Sequence, residues 1–146
     1  MRGPVEIKLL LSVSEVMSSN VLTLKENASI GRAQAEMKLA NIRHFPVVNQ
    51  KGDVLGMVSS QDVARALGRD NEGKGTAVKE LMSTDVLTIS EEAPAHLAAK
   101  LMRTRKIGSL PVVDATGKLV GIVTESDFLE IAEQALSGRQ LRRTRT

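Results

Sequence analysis

The chain has 146 residues, of which 42% are hydrophobic and 25% charged, a composition suited to one ordinary domain or to two small units sharing a core rather than to a disordered segment. It contains no Cys, which excludes disulfides, thiolate catalysis and thiolate metal sites, and its two Phe with no Tyr or Trp leave little on which nucleic-acid bases could stack. The net charge of +3 belongs to one end: without Arg139, Arg142, Arg143 and Arg145 the remainder carries −1, so the basicity reads as a tail and not as a nucleic-acid-binding face.

Residues 1–12 read as an N-terminal extension. The apolar run over 7–13 is short, is broken by Lys8 and lacks a small-residue cleavage pattern, so it does not read as a signal peptide. No stretch approaches the roughly 20 apolar residues that cross a bilayer. The protein is therefore expected to be cytoplasmic, with no membrane partner.

From residue 13 the elements follow in order. Val13-Ser14-Glu15-Val16-Met17-Ser18 leads into a β-branched and apolar run at 21–24, which predicts a strand. Ile30, Ala33, Met37 and Ala40 recur at spacings of three and four, which predicts a helix with one stripe facing a core. Two strands at 45–48 and 54–59 flank Asn49-Gln50-Lys51-Gly52-Asp53, whose Asn and Gly tolerate the positive φ of a hairpin. A second helix runs from Ser60 to about Leu67, and residues 68–77 read as a flexible connector.

The whole pattern then returns at a constant offset of 65 residues without a gap. Val78-Lys79-Glu80-Leu81-Met82-Ser83 repeats the segment at 13–18, and the strand at 21–24 returns at 86–89. Ala95, Ala98, Leu101 and Met102 carry the helical stripe, strands at 110–113 and 119–124 flank Asp114-Ala115-Thr116-Gly117-Lys118, and a helix runs from Glu125 to about Leu136. The expected units are 13–67 and 78–136, followed by the Arg-rich tail at 137–146. A three-stranded sheet cannot bury both faces alone, so the two sheets are expected to pack on each other, helices outside, with pseudo-two-fold symmetry and a cleft between the units.

The motifs Ile42-Arg43-His44-Phe45-Pro46-Val47-Val48 with Gly56-Met57-Val58-Ser59-Ser60-Gln61-Asp62, and Ile107-Gly108-Ser109-Leu110-Pro111-Val112-Val113 with Gly121-Ile122-Val123-Thr124-Glu125-Ser126-Asp127, resemble the CBS motif, named after cystathionine β-synthase. Two in tandem resemble a CBS pair, or Bateman module, here expected to stand alone. The resemblance implies an α/β (α+β) fold of two β-α-β-β-α motifs and a homodimer completed across helices. It also implies a regulatory role, with AMP, ADP, ATP or S-adenosylmethionine bound between the motifs, no required cofactor, and an effector protein of unknown identity.

Carried over by position, Asp62 and Asp127 would hold ribose hydroxyls, and Ser59 and Thr124 would approach phosphate beside a helix N-terminus. Arg43 and His44 would contact phosphate, with Ser109 at the corresponding place in the second motif, and Val21, Val86, Ile42 and Ile107 would line adenine. Read as residues alone, Asp62 and Asp127 are equally first-turn helix acids, Ser59 and Thr124 helix caps, and the four apolar residues core. Because Gly108 and Ser109 are uncharged, the two clefts should differ in phosphate affinity.

Catalysis finds less support. Gly68-Arg69-Asp70-Asn71-Glu72-Gly73-Lys74-Gly75-Thr76 nearly spells a P-loop, but the hydroxyl comes one residue late and the segment follows a helix instead of a strand. Two distant His, with His96 read as surface, make no metal cluster. Asn27-Ala28-Ser29 is a glycosylation sequon only in a secreted protein. The repeated acids lack a repeated base, which argues for binding and against an enzyme. The competing reading is an interaction scaffold with degenerate clefts, or an Arg tail that touches nucleic acid.

Overall fold

A computed structural model describes residues 10–138; the arginines of the tail lie outside them. The elements alternate as anticipated. A short helix α1 (Val13–Val16) precedes β1 (Leu24–Lys25), α2 (Ile30–Ala40), β2 (His44–Val48), β3 (Val54–Ser59) and α3 (Ser60–Leu67). After a 3₁₀ turn at Val78–Glu80 come β4 (Ile89–Ser90), α4 (Ala95–Arg105), β5 (Ser109–Val113), β6 (Leu119–Thr124) and α5 (Glu125–Leu136). The strands form two three-stranded sheets, ordered β1-β2-β3 and β4-β5-β6, each with a parallel first pair and an antiparallel hairpin.

The first strand of each unit departs from expectation. It covers only Leu24–Lys25 and Ile89–Ser90, so the runs predicted as strand at 21–24 and 86–89 are mostly irregular backbone leading into the sheet. Val21 and Val86 are half-buried there, free of any ladder that would fix where they pack.

Each α2-type helix ends on a left-handed residue, Asn41 at φ 53° and Lys106 at φ 55°, which turns the chain sharply into the next strand. That turn brings residues 42–44 and 107–109 beside the helix that follows each hairpin. The Arg43 carbonyl accepts from the Ser60 amide at 2.8 Å, and the Gly108 carbonyl accepts from the Glu125 amide at 3.2 Å.

Two cores form, and neither is built from one repeat alone. The first gathers Leu24, Ile30, Ala33, Met37, Phe45, Val47, Val58 and Val63 together with Val78, against which Leu81 and Met82 also pack. The second gathers Ile89, Ala98, Met102, Leu110, Val112 and Val123 together with Val13, with Met17 packed against it. The leading segment of each repeat thus crosses to the other's core. Val13 N–H donates to the Ala93 carbonyl and Val78 N–H to the Ala28 carbonyl, both at 2.8 Å. Ser18 bridges Ile122, and Ser83 bridges Met57.

These contacts map onto one another under the 65-residue offset, as a two-fold axis requires. The axis runs where equivalent positions meet: Lys118 Nζ donates to Asp53 Oδ1 at 2.6 Å, and these residues are 65 apart. Close approach at the crossing excludes side chains. A Cβ on Gly56 would stand 2.6 Å from the Ser83 carbonyl oxygen, and one on Gly121 would meet the Met17 thioether and stand 3.0 Å from the Ser18 oxygen.

The connector also differs from the flexible segment expected. Asp70 accepts from the Gly73 and Gly75 amides and from the Thr76 hydroxyl, while Thr76 and Gly73 carbonyls accept from the Ile30 and Gly31 amides at the start of α2. Such bonds satisfy helix-terminal donors that would otherwise need water.

Candidate functional site

A cleft of about 840 Å³ opens between the two repeats. From the first repeat it takes Asn20, Val21, Asn41, Ile42, Arg43 and His44, and from the second Gly108, Ser109, Thr124, Glu125, Ser126 and Asp127. Seven residues singled out in the sequence (Val21, Ile42, Arg43, His44, Ser109, Thr124 and Asp127) therefore share one wall system. Ser59, Asp62, Val86 and Ile107, the other four, do not line it.

The second-repeat wall is the end of β6 and the start of α5. Thr124 is the N-cap: its amide donates to Asp127 Oδ2 at 2.8 Å and its hydroxyl reaches the same oxygen at 3.3 Å. The carboxylate is thereby held at a helix start, where the dipole and unsatisfied amides favour anions. Asp127 is half-buried, as a group facing both protein and cleft should be.

The first repeat repeats this geometry with Ser59 and Asp62, whose backbone and side-chain groups bond reciprocally at 3.1 Å. Here a further partner intervenes: Arg65 Nη2 donates to Asp62 Oδ1 at 2.6 Å. Burial pushes the Asp62 carboxyl up, but the Ser59 amide and hydroxyl and the Arg65 guanidinium outweigh it and hold the carboxyl below its ordinary value. The residue equivalent to Arg65 is Glu130, which offers no such donor.

His44 stands between the two helix starts. It pairs across the ladder with Ser59, and Ser109 pairs likewise with Thr124. Desolvation lowers the imidazole below its ordinary value, the Asp62 carboxylate opposes that, Arg43 reinforces it, and Glu125 opposes it more weakly. Arg43 beside it is exposed; His96 is exposed on α4.

Asn20, Asn41, Glu125 and Ser126 were not anticipated. Asn41 carried a signal only as a left-handed cap, since it stands between a helical stripe and an apolar run. Glu125 was visible only as a mismatch with Ser60 between otherwise matching repeats. Among the described residues no group of three or more His, Asp or Glu could hold a metal ion, and no helix is long and apolar enough to cross a membrane.

Comparison with known proteins gives the same assignment. The CBS domain family matches twice, over residues 13–69 and 78–133. The chain belongs to the CBS domain family. A CBS domain-containing protein of Dictyostelium discoideum is 31% identical over 134 residues, covering 85% of this chain and 92% of its own. A homoserine O-acetyltransferase of Methanococcoides burtonii is 38% identical over 117 residues, covering 80% of this chain but 23% of that protein. The chain spans about a quarter of the length of such methanogen relatives.

Among solved structures, the CBS domain pair of protein MJ0100, in complex with 5′-methylthioadenosine and S-adenosyl-L-methionine, superposes with a TM-score of 0.77 at 31% identity, covering 87% of this chain and 99% of that one. CBSX2 in complex with AMP, a protein of Arabidopsis thaliana, gives 0.76 at 28% identity, covering 86% and 98%. The fold is thus that of a CBS pair, mixed α/β with two linked sheets.

Proposed function

We propose that this CBS pair is a regulatory sensor, not an enzyme, and that it binds an adenosine-containing ligand in the cleft lined by Arg43, His44, Thr124 and Asp127. The observation that carries the reading is the meeting of unlike groups from both repeats: an acid fixed at a helix start on one wall, and a cation and an imidazole on the other, with half-buried Val21 and Ile42 lining the same cleft. A carboxylate in that setting accepts two hydrogen bonds from a ribose cis-diol, each charge-assisted bond contributing about 1.5 to 3 kcal/mol. The apolar pair suits a purine face, and the cleft volume lies within the range of small-molecule sites. The MJ0100 and CBSX2 complexes, with adenosine compounds bound, support the same ligand class.

Because the cleft draws on both repeats, a ligand that prefers one relative placement of the repeats shifts the molecule toward it, which is what a sensor requires. The signal passes to a second copy of the chain through the outer helices, where Leu39, Leu97, Leu129 and Leu136 are exposed.

Thermal unfolding with adenosine, AMP, ATP, 5′-methylthioadenosine and S-adenosylmethionine tests the reading. A ligand at 100 times its dissociation constant should add about 2.7 kcal/mol of stability. Asp127→Ala should then weaken that ligand by about 1.5 to 3 kcal/mol in calorimetry run well below the melting temperature. No shift with any of the five compounds would instead favour a scaffold with empty clefts.

A further inference from the structure

We propose that Glu125 sets the charge of the ligand this cleft accepts, so that it takes adenosine compounds with at most one phosphate and turns polyphosphates away. The inference rests on the reading above and narrows its ligand class.

Arg43 and Glu125 belong to two equivalent backbone contacts. In one repeat the Ser60 amide bonds the Arg43 carbonyl, and in the other the Glu125 amide bonds the Gly108 carbonyl. The sequence has therefore placed a cation with a neutral partner in one contact and an anion with a neutral partner in the other. Both charged side chains line the same cleft. The Glu125 carboxyl lies over the Gly108 backbone, its carbon and Oε1 each 3.9 Å from where a Cβ on that glycine would stand. Its charge also reaches across to the His44 imidazole, which desolvation chiefly, together with Arg43, biases toward the neutral form.

The charge balance decides what fits. Among the described residues lining the cleft, Arg43 is the one Lys or Arg, and it shares that lining with two carboxylates, Glu125 and Asp127. With the ribose on Asp127, a first phosphate can take the Arg43 guanidinium and the amides at the start of α5. Each further phosphate adds negative charge beside Glu125 with no second Lys or Arg among the described lining residues to meet it, and like charges juxtaposed in a site select against the wrong partner.

The test is calorimetry of adenosine, AMP and ATP, free of divalent metal, on the full chain and on Glu125→Gln. AMP should bind the unaltered protein about tenfold more tightly than ATP, Glu125→Gln should raise ATP affinity about tenfold, and adenosine should change less than about twofold. The gap between AMP and ATP should narrow with added salt. Glu125→Ser, which copies Ser60, provides a second variant with the same expected outcome. ATP binding the unaltered protein as tightly as AMP, or a gap that survives both substitutions, overturns the role of Glu125 while leaving the adenosine site standing. Absence of binding by all three compounds overturns this inference, and if 5′-methylthioadenosine and S-adenosylmethionine also fail to bind, the site falls with it.

Discussion

In the first repeat the segment entering the central strand carries Arg43 and His44 and the following helix opens on Ser60; in the second the same places hold Gly108, Ser109 and Glu125. The backbone contact between those places is retained in both, because an amide and a carbonyl make it without help from any side chain. Side chains there are released from structural duty and can diverge toward ligand. Asp62 and Asp127 show the opposite balance: both are retained because each closes a capping box, while the position one turn further along the helix differs, Arg65 bonding Asp62 in the first repeat and Glu130 standing at the equivalent place in the second. The two halves of the molecule therefore share what holds the chain and differ in what a ligand would meet.

The equivalence of the two cores can be broken by truncation. Phe45 and Leu110 occupy matching, fully buried positions. Phe45→Ala should cost about 3 to 5 kcal/mol and Leu110→Ala about 2 to 5 kcal/mol, by lost transfer energy plus the cavity left behind. Since Val78 sits in the first core and Val13 in the second, damage to either should be felt by both, and urea unfolding of each variant should remain one transition. Two separated transitions in Phe45→Ala would show that the cores are independent and that the crossing segments do not couple them.

A smaller effect separates the crossings. Gly56→Ala should destabilise by roughly 1 to 3 kcal/mol, because the added carbon meets the Ser83 carbonyl, which cannot move without disturbing its bridge to Met57. Gly121→Ala should cost less: the nearest obstacle is the end of the flexible Met17 side chain, with the Ser18 oxygen farther away. Equal losses in chemical denaturation, or the reverse order, would mean that the thioether at Gly121 is as rigid as the backbone at Gly56.

Much of this fold could be read in advance because two copies of each signal were present. The hairpins and both outer helices begin and end where Gly52 and Gly117, Ser60 and Glu125 suggested, since local turn and cap chemistry sets those limits. The strands expected at 21–24 and 86–89 were misplaced because an apolar β-branched run is as compatible with irregular backbone as with a ladder, and only the partner strand decides. The exchange of leading segments left no trace in periodicity, since Val13 and Val78 would be apolar in either core. At the site, residue types named candidates, but assigning Arg43 and His44 to the cleft of Asp127 required the three-dimensional crossing of the repeats.

The smallest expected effect concerns protons, and it too divides the repeats. His44 has its imidazole lowered from the ordinary value of 6.5, whereas Ser109 at the equivalent place cannot titrate. A base whose folded pKa lies below its unfolded one binds its proton more weakly in the native state, so the unfolded chain holds more protons between the two values. The stability this neutral imidazole contributes is complete above about pH 6.5 and is lost as pH falls through the folded pKa. Desolvation is the chief cause and the Asp62 and Glu125 carboxylates oppose it, so the slope should be shallow and should steepen in Glu125→Gln. His44→Ser, which makes the first repeat resemble the second, should remove this contribution between about pH 7 and pH 5. Melting temperatures across that interval decide it: an identical slope in His44→Ser would show that the acid sensitivity does not come from this imidazole.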